Sequence, residues 1–533
     1  MKQRILFGLF GLLGTLALQA QLVPVATYQE SYRPQYHFTP PQNWINDPNG
    51  LVYLNGEYHL FYQYNPFENT WGHMSWGHAV SKDLLRWDHL PVALQEFDNP
   101  DGKSKTMIFS GSAVVDKANT SGLCPPGTSD CLVAVYTSHV HEDGKGTAQH
   151  QSLAYSTDGG RTFEQYTGNP VLQLNSRQFR DPSVFWYAPG KKWVMAVVKP
   201  NQHLTMFYES KDLKSWSLMS SFGKVGDTSR IWECPALVEV PIEGEPGKTK
   251  WVLFISAGHP QEGAIGMQYY VGHFDGRQFI LDKASPAAKP PLYSSYVDWG
   301  KDYYAAIPFN NLPATHKKPV MLGWMNNWEY ARKLPTKPFN GLMSVPREIG
   351  LRRIGTELHL VQQPIAGVAA LRGAAITQPK FTVANGTPRN VPVASATAYE
   401  LACTFTPGTA RLVSIDLTQS AGRYIRLTFD ATDKTQAYVR LDRTQSGQTS
   451  FAESFASVES APVRLVDGQL TLRVLVDASS IEVFINEGER VISNLFFPDG
   501  PTTGLKVTAT GGDAAIQNLT VWPLQPTMLA QKP

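Results

Sequence analysis

The chain runs to 533 residues, more than one hydrophobic core ordinarily supports, so two domains are expected. Its 47 basic and 45 acidic side chains nearly cancel, which argues against nucleic acid or an anionic membrane as partner and suits a neutral polysaccharide. Thirteen tryptophans fit that reading, because the apolar faces of sugar rings stack on aromatic planes, although Trp87 and Trp216 are expected in a core.

At the start of the chain, Lys2 and Arg4 precede an apolar run over residues 5–18 and a cleavage point at Gln19-Ala20-Gln21, the pattern of a secretory signal over residues 1–20. Its removal takes away two basic residues and no acidic one, leaving 45 of each sign. The run is short for a membrane span, no cysteine stands at the cleavage point to carry a lipid, and no later segment could cross a bilayer. The protein is therefore expected to be exported, periplasmic or extracellular, with no membrane anchor.

Residues 30–364 hold short strand-like runs, among them GLVYL, EYHLFYQY, SAVVD, LVAVYT, KWVMAVV and KWVLFIS, without an intervening helix-period segment. Four times an aspartate in a turn is followed by an aromatic: Asp83 with Trp87, Asp158 with Phe163, Asp212 with Trp216, and Asp275 with Phe279. The intervals between these aspartates are 75, 54 and 63 residues, a degenerate array of like units with variable loops. Antiparallel strands in recurring groups of about four predict a β-propeller, here of five units. The first strand of a blade is commonly the innermost. Asp47, the pair Phe109 and Ser110, Asp181, Glu233, and the pair Asp302 and Tyr303 each fall just ahead of the first strand of successive units. Carboxylates 134 and 52 positions apart are thus expected to meet at one end of the axis.

Three segments put a carboxylate beside a proline or ahead of one: WINDPNG at 44–50, FRDPS at 179–183 and WECPA at 232–236. Each alone reads as an ordinary turn or loop end. As a convergent set, Asp47, Asp181 and Glu233 can supply the ionised nucleophile and the protonated acid that a retaining glycosidase holds about 5 to 5.5 Å apart.

Cys124 and Cys131 bracket the loop PPGTSD and are candidates for a disulfide in an exported protein. Cys234 and Cys403 are expected to stay free, Cys234 as small packing beside Glu233 with no histidine to make it a nucleophile. His139 and His141 share one face of a strand, and His73 and His78 lie close in sequence. Neither pair has an evident third ligand, so no metal is expected. The stretch IAGVAALR at 365–372 reads as a linker with a helical turn. Beyond it, over 373–525, period-two runs such as RYIRLTF, AYVRLD, LTLRVLVD, IEVFIN and VISNLFF predict a β-sandwich, with Asn486-Glu487-Gly488 joining the last two runs; its expected role is support for the propeller, the alternative an auxiliary sugar contact.

WINDPNG, RDP and EC, in this order on a five-unit array followed by an all-β domain, resemble glycoside hydrolase family 32, the fructan hydrolases and invertases. FYQYNP at 61–66, WGHMSWGHAVSKDL at 71–84, FSGSAV at 109–114, GWMNNW at 323–328 and SSIEVFINEG at 479–488 extend the likeness over nearly the whole expected mature chain. The family commonly carries Met where this chain has Ile45, an exchange of one apolar side chain for another. The resemblance implies Asp47 as nucleophile, Glu233 as acid/base and Asp181 as transition-state stabiliser, with Asn46, Gln63, Trp71, Phe109, Ser110, Arg180 and Trp328 around the fructosyl unit and no cofactor. Glu233 must begin protonated, and repulsion from Asp47 and Asp181 is the expected means; Arg180 is expected to hold Asp181 ionised. The expected activity is release of single fructose units from the non-reducing ends of levan- or inulin-type fructans or fructooligosaccharides. The rivals are fructosyl transfer or a sucrose preference on the same site, an inverting propeller glycosidase, and a non-catalytic fructan-binding surface protein.

Overall fold

Short strands joined by tight turns pair with their neighbours in sequence, and here they do so five times over. The computed structural model describes residues 27–258, 265–288, 295–393 and 396–528, so the leader expected over 1–20 lies outside the described residues. The first blade consists of Asn43–Leu54, Glu57–Asn65, Ser75–Ser81 and Asp88–Leu94. Lys105–Val115, Leu132–Glu142 and Lys145–Ser156 build the second with short edge strands. The third runs from Arg180–Tyr187 to Ser217–Gly223, the fourth from Glu233–Pro241 to Phe279–Leu281, and the fifth from Tyr304–Pro308 to Glu357–Pro364. The five first strands touch one another in a closed ring, the fifth returning to the first. Phe339–Asn340, a short strand thrown out by the fifth blade, adds in parallel to Asn43 and Trp44 and latches the ring.

Each first strand carries a β-bulge near its start, between Ile45 and Pro48, Phe109 and Gly111, Arg180 and Ser183, Glu233 and Ala236, and Tyr304 and Ile307. This corrects the expectation that the site residues stand ahead of their strands. Asp47, Phe109 and Ser110 lie well inside theirs, because a bulge interrupts the ladder without ending it.

The aspartate-turn repeat joins the third and fourth strands of the first four blades. In every case one carboxylate oxygen accepts two backbone amides of the turn: Leu85 and Arg86 for Asp83, Arg161 and Thr162 for Asp158, Lys214 and Ser215 for Asp212, Arg277 and Gln278 for Asp275. The carboxylate supplies partners that the backbone of a sharp turn lacks. Trp87 and Phe279 are then buried, and Trp216 packs against the core of its blade. The fifth blade has no such aspartate, because its strands turn in two residues through Gly355 at φ +60°, a conformation that costs glycine nothing.

A 3-10 turn, Ala366–Leu371, leads into two packed antiparallel sheets. Strands such as Tyr424–Asp430 alternate buried and half-buried side chains, and the buried ones meet in a single core. The edge of this sandwich is fastened to the fifth blade by charges with no access to solvent. Arg347 pairs with Asp298 at 2.9 Å and with Glu482. His37 bridges Asp477 at 2.8 Å and Glu482 at 2.9 Å, and Arg443 holds Asp302 at 2.7 Å.

Burial pulls the His37 imidazole down, but its bonds to Asp477 and Glu482 outweigh that and raise it to about 9. A base whose folded value lies above its unfolded one stabilises fully below about pH 6.5 and loses that contribution as pH rises through about 9. Thermal melts from pH 6 to 10 are expected to show the wild type losing stability across this window more steeply than His37→Gln; parallel curves would refute the assignment.

Candidate active site

The bulges explain how five strands present side chains to one spot. Each places a residue too many against its partner strand and turns it toward the axis: Asp47, Ser110, Asp181, Cys234 and Ala305, of which Asp181, Cys234 and Ala305 take positive φ. The residues immediately before them, Asn46, Phe109, Arg180, Glu233 and Tyr304, form a second ring.

Asp47 is half-buried and hydrogen-bonded through both carboxylate oxygens. Its Oδ2 accepts the Ser110 hydroxyl at 2.6 Å and the Cys234 thiol at 3.5 Å, while Oδ1 accepts the Asn46 amide at 3.0 Å. Asn46 is itself oriented by the Trp44 indole N–H at 2.8 Å. Burial raises the Asp47 carboxyl, and the negative Glu233 adds to this against the bonds from Ser110 and Asn46. Glu233 is more open than Asp181, 22 % exposed against 6 %. Arg180 donates to its Oε1 through Nη2 at 2.9 Å and Nε at 3.3 Å, and the Tyr304 hydroxyl donates to Oε2 at 2.8 Å. Burial and the charge of Glu233 raise the Tyr304 phenol far above its ordinary value, so it stays a hydroxyl.

Two expectations change here. Arg180 directs its hydrogen bonds to Glu233 and to the Gln178 carbonyl oxygen at 2.5 Å, and its guanidinium lies 3.8 Å from Asp181. Asp181, which accepts the Cys234 backbone amide at 3.0 Å, is raised to about 7: burial leads, Arg180 opposes it, and Glu233 and Asp47 push further up. Arg180 therefore does not hold Asp181 ionised through neutral pH, and the like-charge effect expected at Glu233 is felt at Asp181. The second change is in the fifth blade. Tyr304 reaches the site, whereas Asp302 and Tyr303 turn toward the sandwich, Asp302 onto Arg443 and Tyr303 beneath the Arg347 guanidinium at 3.9 Å.

All ten site residues expected from the sequence, Asp47, Asp181, Glu233, Asn46, Gln63, Trp71, Phe109, Ser110, Arg180 and Trp328, line one pocket of about 410 Å³. Trp328 closes one side, stacked on Trp44 at 5.7 Å, and Trp71 meets Phe109 edge-on at 6.2 Å. Beneath this pocket the axis narrows between Pro48, Gly111, Pro182 and Pro235 to a chamber of about 20 Å³, room for one water. Tyr304, Gln178, His139 and Gln149 belong to the site and were missed by sequence reasoning. Aligning the bulges would have found Tyr304, since it holds the register position of Arg180 and Glu233.

Cys234 is more than packing: its thiol and its amide bridge Asp47 and Asp181. Burial and the charges of Asp47 and Asp181 raise the thiol well above its ordinary value, so it is a weak donor and no thiolate nucleophile. Cys403 is free and buried, and Cys124 and Cys131 are joined in a disulfide. His139 stacks on Phe109, while His73 and His141 both meet Glu96, at 2.6 and 3.2 Å. Among the described residues no group of three or more His, Cys, Asp or Glu could hold a metal ion.

The sequence profile "Glycosyl hydrolases family 32 N-terminal domain" matches residues 37–364, and "Glycosyl hydrolases family 32 C terminal" matches residues 367–523. The chain is 42 % identical to a levanase of Bacillus subtilis over 98 % of its own length and 75 % of that protein's. With an extracellular exo-inulinase of Aspergillus niger it shares 38 % identity over 93 % of its length and 95 % of the relative's. The crystal structure of an exo-inulinase from Aspergillus awamori superposes with a TM-score of 0.85 at 35 % identity, covering 94 % of this chain and all of that one.

Proposed function

The chain belongs to glycosyl hydrolase family 32, and on that premise we propose that it is a retaining β-fructofuranosidase that removes single fructose units from the non-reducing ends of fructans. The observation that carries this reading is the meeting within one pocket of two carboxylates, Asp47, held by Ser110, Asn46 and Cys234, and Glu233, whose two oxygens are held by Arg180 and Tyr304.

In the proposed first step an Asp47 oxygen bonds to C2 of the terminal fructosyl unit while the C2–O bond to the next sugar breaks, and Glu233 passes its proton to the departing oxygen. Charge develops at C2 as that bond opens, and the adjoining Asp181 stabilises it while accepting fructosyl hydroxyls. Because the Tyr304 phenol does not ionise, it can donate to the Glu233 carboxylate and turn to accept from the carboxylic acid, following the proton. In the second step Glu233 takes a proton from water, whose oxygen bonds to C2 and frees Asp47. A pocket that ends in a one-water chamber supports engagement of a chain end instead of a chain middle. The leader expected over residues 1–20 and the extracellular relatives support export.

Product analysis tests the reading. Early time points on long-chain levan and inulin should show free fructose almost without intermediate oligosaccharides, with sucrose cleaved less well; a ladder of short fructans appearing first would overturn it.

Asp47→Asn and Glu233→Gln are each expected to lower fructan turnover by about a thousand-fold or more with thermal melting unchanged, since each removes a chemical role and not a binding contact. A folded Asp47→Asn protein with near-normal turnover would end the nucleophile assignment.

Burial and the charge of Glu233 raise both Asp47 and Asp181, Asp181 to about 7. The mechanism needs Asp47 ionised and Glu233 protonated, so the free-enzyme profile of kcat/KM is expected to be bell-shaped, its acid limb moved upward by the raised Asp47. A rate still climbing through pH 9 would exclude a carboxylic acid as donor.

A further inference from the structure

Two adjacent strands of the second blade place His139 directly opposite Gln149, and both line the pocket. The Phe179 backbone amide donates to Gln149 Oε1 at 2.9 Å. This fixes which end of the Gln149 amide is oxygen, so its nitrogen faces His139 Nδ1, at 3.1 Å, and donates to it. Burial, then the positive charges of His141 and Arg180, lowers the His139 imidazole to about 4, so the ring is neutral at working pH. A neutral imidazole that accepts at Nδ1 carries its proton on Nε2.

That Nε2–H has no hydrogen-bond acceptor among the described residues. The ring is locked face to face on Phe109, centroids 4.2 Å apart and planes within 4°. Its open edge borders Gly146. A Cβ there would stand 2.6 Å from Cε1 and 3.0 Å from Nε2, so only glycine leaves the donor uncovered. The position within the pocket is informative too. His139 is close enough to Arg180 to feel its charge, and Arg180 is bonded to Glu233, the residue that must face the departing sugar.

We propose that His139, held against Phe109 and set by Gln149, is a binding residue for the leaving sugar, its Nε2–H donating to a hydroxyl of the second unit of the fructan chain. The ligand class is a neutral polyol: the site offers an uncharged donor beside an aromatic face. This rests on the β-fructofuranosidase reading above.

The test compares a short inulin-type oligofructose with β-fructofuranosyl fluoride, whose leaving group contains no sugar. His139→Phe keeps a ring against Phe109 and removes the N–H; Gly146→Ala retains every site side chain but drives the His139 ring edge from its place and covers Nε2. Each variant is expected to lose about five- to ten-fold in kcat/KM on the oligofructose, the worth of one hydrogen bond. Turnover of the fluoride, which also reports that the site is folded, should change by less than about two-fold. Unchanged kcat/KM on the oligofructose would overturn the proposal, as would equal losses on both substrates, which would assign His139 to the fructosyl unit or to the fold. Wild-type protein inert toward both substrates would instead overturn the β-fructofuranosidase reading on which this one depends.

Discussion

Five inner strands each carry more residues across their bulge than the neighbouring strand can pair. Regular strands converging on an axis would alternate their side chains between the two adjacent blade faces and leave the axis to backbone. The bulge breaks that alternation once per blade at a common height, and there Asp47, Ser110, Asp181 and Cys234 leave the blade cores and face one another. The cost is visible in the positive φ of Asp181, Cys234 and Ala305. The prolines after Asp47, Asp181 and Cys234 suit the same geometry, since a bulge is one of the few places in a sheet where a missing N–H does no harm. Pocket, carboxylate set and raised Asp181 all descend from this one irregularity.

The sandwich takes part in the same construction from outside. Asp302 lies two residues before Tyr304 and receives the Tyr330 hydroxyl at 2.5 Å, the Arg443 guanidinium at 2.7 Å and the Leu495 amide at 2.7 Å. Tyr330 in turn lies two residues beyond Trp328. The wall that holds Glu233 from one side and carries Trp328 on another is thus pinned at a single buried carboxylate, with two of its three donors belonging to the C-terminal domain. Through this carboxylate the C-terminal domain braces the fifth blade's face of the pocket.

Much of this was legible in the sequence because the signals were redundant. Asp47, Asp181 and Glu233 were marked both by local motifs and by their places in a repeat, and the repeat itself was written in aspartates that the turns require for their amides. The sandwich was legible from strict period-two alternation. Contacts decided by side-chain direction were not. Arg180 stands beside Asp181 in sequence, yet its guanidinium gives its hydrogen bonds to Glu233 and only approaches Asp181, at 3.8 Å. Tyr303 and Tyr304 are chemically identical neighbours, and in a strand a shift of one residue exchanges the two faces. His139 and Gln149 carry no motif at all; their pairing exists only through the register of two strands.

The latch between the two ends of the propeller has a consequence in time. Phe339–Asn340 joins Asn43 and Trp44, which immediately precede Asn46 and Asp47, and His37 is anchored to Asp477 and Glu482, 440 and 445 positions later. Contacts of such long range are made late, once intervening loops have paid their closure entropy. A chain still emerging from synthesis, or truncated before its last sheet, lacks the partners that set the segment leading to Asp47. The mouth of the pocket is thus set by partners drawn from both ends of the chain, and its geometry belongs to the folded whole and not to any one blade.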